Sequence, residues 1–505
     1  MNGILELVMC ALVLGAFAGS TAWAAEYHVS PSGDDANPGT AAQPWRTIER
    51  ANKADLKPGD QVLFEGGQTF PGTIALDSKD SGTAAQNVLV TSYGNGRAVI
   101  DGGKGTALRA DGCDFLLVKG INFLGCGRKD GNSGSGVHLT KSKGPTISEV
   151  DVKGFRNCGI AVEGVQNTQI VQVYAHENGS AGIAVGEDDN HWSEDVYIGH
   201  CIAENNPGDP LNLTNHSGNG IVVGAVRGCL IEYCEAMNNG WDMPREGNGP
   251  VGIWMWNADK VIIQFCISHD NKSPSWDGGG FDIDGGVTNS IVQYNLSYNN
   301  VGPGYLLCQY YPAPTWKNNI IRYNISQNDG MKGKNPAIAV SWYEGMSEAE
   351  IYNNTVFNAE GPAVGFNDGK APGMRFRNNV FVSGTELITG GAAKGQFEGN
   401  VYWLLGGKPF SVDGFTSLET WSAATGQERS GTAPLGRWGD PKLIRPGEAN
   451  CTKPDDLPTL KEYRLESDSP CIGAGIPIDN NGGRDLWGNW VPAKAKPTIG
   501  AFETR

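Results

Sequence analysis

The tetrapeptide Phe-Cys-Ile-Ser at residues 265–268 returns as Tyr-Asn-Leu-Ser at 294–297 and as Tyr-Asn-Ile-Ser at 323–326. The same pattern extends in both directions, from 200–203 to 399–401, at intervals of 21 to 33 residues. Repetition at such a period is typical of a solenoid, in which each unit stacks on the next. This repeat is the part of the sequence that decides the fold.

A second pattern alternates with the first and consists of a glycine followed by two or three strand-forming residues. Examples are Gly252-Ile253-Trp254-Met255 and Gly280-Phe281-Asp282-Ile283. No repeat leaves room for the roughly 10–15-residue helix of a βαβ unit, and a propeller would need longer, antiparallel strands. We therefore predict an all-β fold, a right-handed parallel β-helix with a short N-terminal capping helix and an irregular C-terminal cap.

In such a solenoid, like residues from successive coils stack in rows. Asn295 and Asn324 are expected to satisfy backbone groups of the turns along one row. The cysteines that belong to the repeat should form a second row, of buried thiols: Cys201, Cys234 and Cys266. Outside the repeat, Cys451 and Cys471 are the best candidates for a disulfide in an oxidising compartment.

The chain is interpreted as one domain behind a leader. Residues 1–24 are typical of a secretory signal peptide, because an apolar run leads into the small-residue site Ala22-Trp23-Ala24. An uncleaved anchor is the alternative, since no Lys or Arg precedes the apolar run. The remaining segments are an N-terminal cap at 25–70 with a helix at 45–52, coils at about 71–403 and a C-terminal capping region at about 404–505. A secreted or periplasmic protein follows from this reading.

The formal net charge is −16. Such an acidic surface argues against nucleic acid as a partner and disfavours polyanionic polymers unless cations intervene. After the leader, no stretch approaches the roughly 20 apolar residues of a membrane span. An uncharged or sparsely charged ligand is therefore favoured, and the sequence indicates neither a cofactor nor an oligomeric state.

Two ends of the chain resemble a known group of proteins. The segment Val29–Thr40, with 45–48 and Pro58-Gly59-Asp60 after it, resembles the N-terminal cap of secreted β-helix carbohydrate-active proteins of the pectate-lyase-like superfamily. Residues 469–475 and 498–503 resemble their closing segment. The resemblance implies a carbohydrate ligand and either a glycoside hydrolase or a polysaccharide lyase. The Gly-His-Gly and Arg-Ile-Lys triplets of polygalacturonase-type glycosidases do not occur in the sequence, so the reaction stays open.

The middle coils carry the candidate site. Side chains alternate along a strand, so Trp254, Trp256, Asp282 and Asp284 should point outward where their neighbours point into the coil. Indole rings suit the apolar faces of sugars, and paired carboxylates supply an acid together with a base or nucleophile. We predict Asp282 and Asp284 as the catalytic pair, with Asp277 in the preceding corner as a third catalytic residue. Their spacing on the strand fits retention as well as inversion.

Long corner insertions before the same strands should form one wall of a groove. They supply further candidate substrate-binding residues: Trp241, Glu246, Lys272 and Trp276. Glu344, outside these insertions, is a further candidate. Other interpretations stay open, because an aspartate pair also binds structural cations or satisfies turn amides, and a loop could cover the tryptophans.

Three functions compete. The first is a glycoside hydrolase that acts on an extracellular poly- or oligosaccharide by paired-carboxylate catalysis. The second is a polysaccharide lyase on a uronic-acid-containing polymer, in which the carboxylates hold calcium and Lys272 or Arg245 abstracts the proton. The third is a glycan-binding or adhesin-like solenoid without catalysis.

Overall fold

A computed structural model describes residues 24–186, 191–330, 335–341, 346–367 and 373–504. Parallel pairing joins 36 strands in one continuous ladder that winds as a β-helix. Each coil passes through three faces, which we call sheet 1, sheet 2 and sheet 3 in the order in which the chain runs through a coil from Ile74 onward. The first strand, Glu26–Val29, lies in sheet 2. The prediction of an all-β parallel solenoid is confirmed.

The strands of sheet 1 are Ile74–Asp77, Leu108–Asp111, Val137–Thr140, Cys158–Glu163, Ala181–Val185, Gly279–Ile283, Tyr305–Cys308, Ile338–Ser341, Val364–Phe366 and Ile388–Thr389. Those of sheet 2 are Glu26–Val29, Gln61–Glu65, Val88–Tyr93, Leu116–Lys119, Ser193–Gly199, Ile291–Gln293, Trp316–Arg322, Met346–Tyr352, Met374–Arg377 and Gln396–Glu398. Those of sheet 3 are Thr69–Pro71, Val99–Gly103, Asn122–Gly125, Ile202–Glu204, Glu235–Met237, Ile267–His269, Leu296–Tyr298, Ile325–Gln327, Thr355–Asn358, Val380–Ser383, Val401–Leu404 and Arg437–Trp438.

Four longer strands bend at a corner and contribute to two sheets. Sheets 2 and 3 share Thr146–Lys153 and Gln166–His176, whereas sheets 1 and 2 share Asn219–Glu232 and Val251–Gln264. A small antiparallel pair, Arg429–Ser430 with Ala433–Pro434, lies outside the ladder. The helices are Ile48–Ala51 and Leu418–Thr425, with 3-10 turns at Ser78–Asp80, Ala392–Lys394, Leu405–Gly407 and Pro454–Thr459.

The expected capping helix is present but shorter than predicted. It spans only Ile48–Ala51, and the Thr47 hydroxyl caps it by accepting a hydrogen bond from Arg50 N. Trp45 stays extended because it bridges to Val29, and its indole donates to a backbone carbonyl of the preceding loop. The helix therefore starts only after the chain has paired with the first strand.

Asparagine ladders hold the coils in register at two corners. Between sheets 2 and 3, each side-chain amide donates to the side-chain oxygen of the next, at 2.9 to 3.1 Å, in the row Asn295, Asn324, Asn354, Asn379 and Asn400. The row ends on Glu428, which accepts from Asn400 Nδ2 at 2.7 Å. Backbone amides donate to the same side-chain oxygens, which confirms the predicted role of Asn295 and Asn324.

The second ladder lies between sheets 3 and 1, next to the candidate site. Its members are Asn178, Asn206, Asn239, Asn271 and Asn300, and it ends on Asp329. Both ladders thus run in one direction and stop at a buried carboxylate.

The cysteine predictions had two different outcomes. Cys201, Cys234 and Cys266 are fully buried free thiols on adjacent coils, as expected. The predicted disulfide between Cys451 and Cys471 is wrong, because both residues are free. Cys451 Sγ instead donates to the carbonyl of Lys453 in its own loop, at 3.3 Å.

The C-terminal region covers more than the end of the coil. Phe410 and Trp421 extend the interior core across the last coil, as a cap should. Residues 441–504 then return along the outer face of sheet 3 and bury that face. Tyr298 Oη, for example, donates to the carbonyl of Cys451 at 3.2 Å. This segment does not cover sheet 1, the face that carries the candidate site.

Two predictions concern the ends of the chain. Except for Ala24, the segment read as a signal peptide lies outside the described residues. The boundaries of the caps, near residues 70 and 404, stay predictions. No helix of the described residues is both long and apolar enough to cross a membrane.

We predict that Asn354→Ala destabilises the solenoid. The change removes the Nδ2 donor to the Ile321 carbonyl and the Oδ1 acceptor of Asn324 N, both in the buried interior. Asn379 Oδ1 keeps the backbone N of residue 354, and Asn324 Nδ2 keeps the Val292 carbonyl. Unpaired buried groups cost about 1–3 kcal/mol each, so we expect a loss of several kcal/mol in unfolding free energy, measured by denaturant titration. The exposed Asn450→Ala is the control, and equal stability of the two variants would contradict the role of the ladder.

Candidate active site

The register of sheet 1 places the predicted residues on adjacent strands. Val222 pairs with Trp254, and Trp254 pairs with Asp282. The intervening Ile253 and Ile283 belong to the interior core, whereas Trp254 belongs to a separate apolar cluster on the outer face. The tryptophans and aspartates of these strands therefore face outward.

A cavity of about 550 Å³ lies on this outer face. The strands contribute Ala181, Ala184, Gly186, Asn219, Val222, Trp254, Trp256 and Asp284, and the loops contribute Ser180, Asn212, Asn215, His216, Asn248 and Tyr310. The coils just before the tryptophans carry small outward side chains, and this small size creates the space in front of the indoles.

The two tryptophans form one side of the cavity. Trp254 is 4% exposed, and its Nε1 donates to Asn219 Oδ1 at 3.0 Å. Trp256 is half-buried and lies across Gly224 of the preceding coil, where an added Cβ would be only 2.1 Å from the Trp256 ring. A side chain at position 224 would therefore displace the indole.

Asp284 is the aspartate that lines the cavity. Its Oδ1 accepts a hydrogen bond from Gly285 N at 2.7 Å, and the Cys308 thiol also donates to this carboxylate. Burial raises the pKa of Asp284 to about 6, although the two hydrogen bonds favour the ionised form. At neutral pH Asp284 is therefore mainly ionised.

Asp277 is partly buried in the loop before the next strand. Its Oδ2 accepts a hydrogen bond from Gly249 N at 3.0 Å, which connects two loops of the wall. Burial, with a contribution from the charge of Asp284, raises the pKa of Asp277 to about 7, while Gly249 N and Arg245 act in the opposite direction. This carboxyl thus holds its proton to a higher pH than Asp284 does.

Asp282 lies between these groups but is only 4% exposed. Its Oδ1 has no hydrogen-bond partner among the described residues. Burial, together with the charges of Asp284 and Asp277, raises the pKa of Asp282 well above its ordinary value. Asp282 therefore holds its proton more tightly than an exposed aspartate does, and it does not line the cavity.

The other predicted substrate-binding residues lie away from the cavity lining. Trp241 is 45% exposed and donates from Nε1 to Asn205 Oδ1, and Lys272 donates to Asn238 Oδ1. Glu246 and the 70% exposed Trp276 lie on the adjacent loops. Glu344 lies outside the described residues.

Several lining residues were missed by the sequence analysis. His216, Asn219 and Asn248 come from the loops or strand starts before sheet 1, and Tyr310 comes from the loop after it. The signal for His216 was the length of the segment between strands Ile202–Glu204 and Asn219–Glu232, which is another long corner insertion.

No metal-binding cluster is found in the part of the chain that the structure describes, where a cluster means three or more His, Cys, Asp or Glu side chains. The three aspartates therefore do not converge as a set of calcium ligands in this arrangement.

Comparisons with known proteins find carbohydrate-active enzymes among the proteins that this chain is similar to. The lacto-N-biosidase of Bifidobacterium longum is 24% identical over 96% of this chain, but the match spans only 37% of that larger protein. The crystal structure of the GH136 lacto-N-biosidase from Eubacterium ramulus superposes with a TM-score of 0.53 at 20% identity, covering 67% of this chain and 65% of the other. A structure of the PL6 family alginate lyase AlyGC, in mutant form, has a TM-score of 0.53 at 14% identity over 84% of this chain and 56% of that one.

A family model covers most of the coils as well as the candidate site. Residues 27–335 match the model described as a Pel9A-like, right handed beta helix region. This match confirms the predicted handedness and the pectate-lyase-like resemblance. The chain belongs to the Pel9A-like right-handed β-helix family.

Proposed function

We propose that this protein is a secreted glycoside hydrolase that cleaves an uncharged oligosaccharide bound in the sheet 1 cavity. The observation that carries the proposal is the pair Asp284 and Asp277, whose pKa values of about 6 and about 7 differ. Asp284 lines the cavity with Trp254 and Trp256, whereas Asp277 lies behind the lining, bonded to Gly249 N next to the lining residue Asn248. When two carboxyl groups have different pKa values, a pH between these values leaves one ionised as a base and the other protonated as an acid. The similarity to a lacto-N-biosidase, a glycosidase by name, supports the same reaction class.

The roles follow from the protonation states. Asp277, which keeps its proton longer, donates it to the glycosidic oxygen as the bond to the anomeric carbon breaks. Asp284, ionised and open to the cavity, either attacks the anomeric carbon or removes a proton from the attacking water. Asp282 stays neutral and covered, so we assign it a positioning role beside Asp284 and no direct contact with the sugar.

The lining chemistry disfavours a uronate as substrate. Among the described residues that line the cavity there is neither a Lys nor an Arg. Of the two bases considered for a lyase, Lys272 is bonded to Asn238 and the Arg245 guanidinium donates to the carbonyl of Asn248 at 2.5 Å. A binding protein without catalysis would gain nothing from three buried carboxyl groups, which cost stability. The hydrolase is the function that the geometry supports best.

The proposed activity predicts the outcome of a substrate panel. Purified protein is incubated with the p-nitrophenyl glycoside of lacto-N-biose, with neutral oligosaccharides, and with alginate and polygalacturonate, each with and without EDTA. We expect release of reducing ends or nitrophenol from neutral substrates and no unsaturated product. A chelator-sensitive unsaturated product from a uronate polymer would overturn the proposal in favour of a lyase, and binding without turnover of any substrate would favour a glycan-binding protein.

Substitutions of the three aspartates should have unequal effects. We expect Asp284→Asn and Asp277→Asn each to lower kcat/KM by at least about 100-fold, since each removes an acid or base that contacts the reacting atoms. Asp282→Asn should cost less than about tenfold, because an amide resembles the neutral acid in shape and polarity. Steady-state kinetics and thermal unfolding are measured together, with the exposed Asp455→Asn as control. A larger loss for Asp282→Asn than for Asp284→Asn would reverse the assignment.

The pH dependence of kcat/KM should be bell-shaped. Activity rises as Asp284 loses its proton near pH 6 and falls as Asp277 loses its proton near pH 7, so the maximum lies between these values. Rates are measured in constant-ionic-strength buffers. A plateau that extends far above pH 8 would show that neither carboxyl acts as the acid.

A further inference from the structure

One wall of the cavity contains a chain of hydrogen bonds that no catalytic step above uses. Trp254 Nε1 donates to Asn219 Oδ1 at 3.0 Å, and Asn219 Nδ2 lies 3.2 Å from His216 Nδ1. The His216 ring also packs edge-on against the Trp254 indole, with ring centroids 5.0 Å apart. These contacts fix the orientation of the imidazole.

The hydrogen bonds from Trp254 through Asn219 to His216 can have only one donor-to-acceptor direction. An indole nitrogen only donates, so Asn219 must turn its oxygen towards Trp254 and its NH₂ group towards His216. Two further bonds agree with this orientation: Val251 N donates to the same oxygen at 3.3 Å, and Asn219 Nδ2 donates to the carbonyl of Ser180 at 3.2 Å. His216 Nδ1 is therefore the acceptor, and a neutral imidazole then carries its proton on Nε2.

The Nε2–H group is available to a ligand. His216 lines the cavity, and among the described residues its Nε2 has no hydrogen-bond partner. Burial, with a contribution from the positive charge of Arg245, lowers the pKa of His216 to about 4. The imidazole is thus neutral wherever the two catalytic aspartates are in their working states.

We propose that His216 determines specificity by donating its Nε2–H to an uncharged acceptor oxygen of the bound saccharide, a hydroxyl or an amide carbonyl. Asn219 is the positioning residue that keeps the proton on Nε2. A protonated amino group, which only donates, would be rejected at this point. The inference rests on the proposed function, because it requires a neutral sugar beside Trp254.

The first test removes the donor and keeps the ring. In His216→Phe the packing on Trp254 is retained, and we expect KM for the p-nitrophenyl glycoside of lacto-N-biose to rise about 10- to 100-fold with a smaller change in kcat. His216→Gln restores an N–H donor and should recover part of the loss. His200→Phe, the same substitution on an exposed His that stacks on Tyr233, is the control and should change neither constant.

The second test reverses the donor and acceptor roles in the hydrogen bond between residue 219 and His216 Nδ1, and both the imidazole and the indole stay in place. Asn219→Asp replaces the NH₂ donor by an acceptor, so Nδ1 takes the proton and neutral Nε2 becomes an acceptor. KM should rise as in His216→Phe at about pH 8, and it should recover relative to the original protein as the pH falls and the imidazolium donates from both nitrogens. Arg245, whose charge lowers the pKa of His216, and Asp284, which lines the same cavity, are present in both the Asn219→Asp variant and the original protein. Their effects on the pH dependence of KM therefore cancel when the two proteins are compared.

A spectroscopic measurement separates this inference from the proposed function. In ¹⁵N-histidine-labelled protein, the His216 signals are assigned by their loss in His216→Phe, and we expect unprotonated Nδ1 and protonated Nε2 at neutral pH. A proton on Nδ1 overturns the inference whatever the activity. The expected tautomer with an unchanged KM in His216→Phe also overturns it but leaves the glycosidase intact. The expected tautomer in a protein that cleaves no glycoside overturns the proposed function, and the specificity role falls with it.

Discussion

Parallel pairing in a strict register is the constraint on which the rest of this molecule depends. Because side chains alternate along a strand, a slip of one residue would turn Trp254 and Asp282 into the interior and bring Ile253 to the surface. The asparagine ladders oppose such a slip, since the side-chain oxygen of each asparagine accepts from both the backbone N–H and the side-chain amide of the asparagine one coil earlier. Register at the corners thus determines which chemistry faces the cavity.

That register also explains how like charges come to lie together. Asp282 lies on a strand of sheet 1 and Asp284 directly follows the end of that strand, and the loop of the same coil brings Asp277 near them. Burying three carboxyl groups lowers the stability of the fold, and the many backbone hydrogen bonds between the surrounding parallel strands offset this loss. The result is a set of carboxyl groups that titrate over a range and not at one pH. A smaller fold with fewer repeated contacts would have less stability to set against this cost.

The repetitive part of the molecule could be predicted from the sequence, and the irregular part could not. Period and alternation were enough to place Trp254, Trp256 and Asp284 on one outer face, because strands obey simple geometry. Loop residues obey no such period, so Trp241 and Lys272 were expected at the cavity although they bond Asn205 and Asn238. His216 was missed for the same reason. Residues 441–504 pack on sheet 3 through contacts with residues that are distant in sequence, and a local sequence pattern does not predict such contacts.

The ladder between sheets 2 and 3 ends at Glu428, near the last coil, whereas the coils continue past Asp329, where the other ladder ends. An asparagine both accepts and donates, so it passes the pattern on to another coil, whereas an ionised carboxylate only accepts. Glu428 accepts hydrogen bonds from Asn400 and the Tyr402 hydroxyl, and its carboxylate has no N–H group that could donate to a further coil. Extending this asparagine row by another coil would therefore require replacing Glu428 with a residue that also donates.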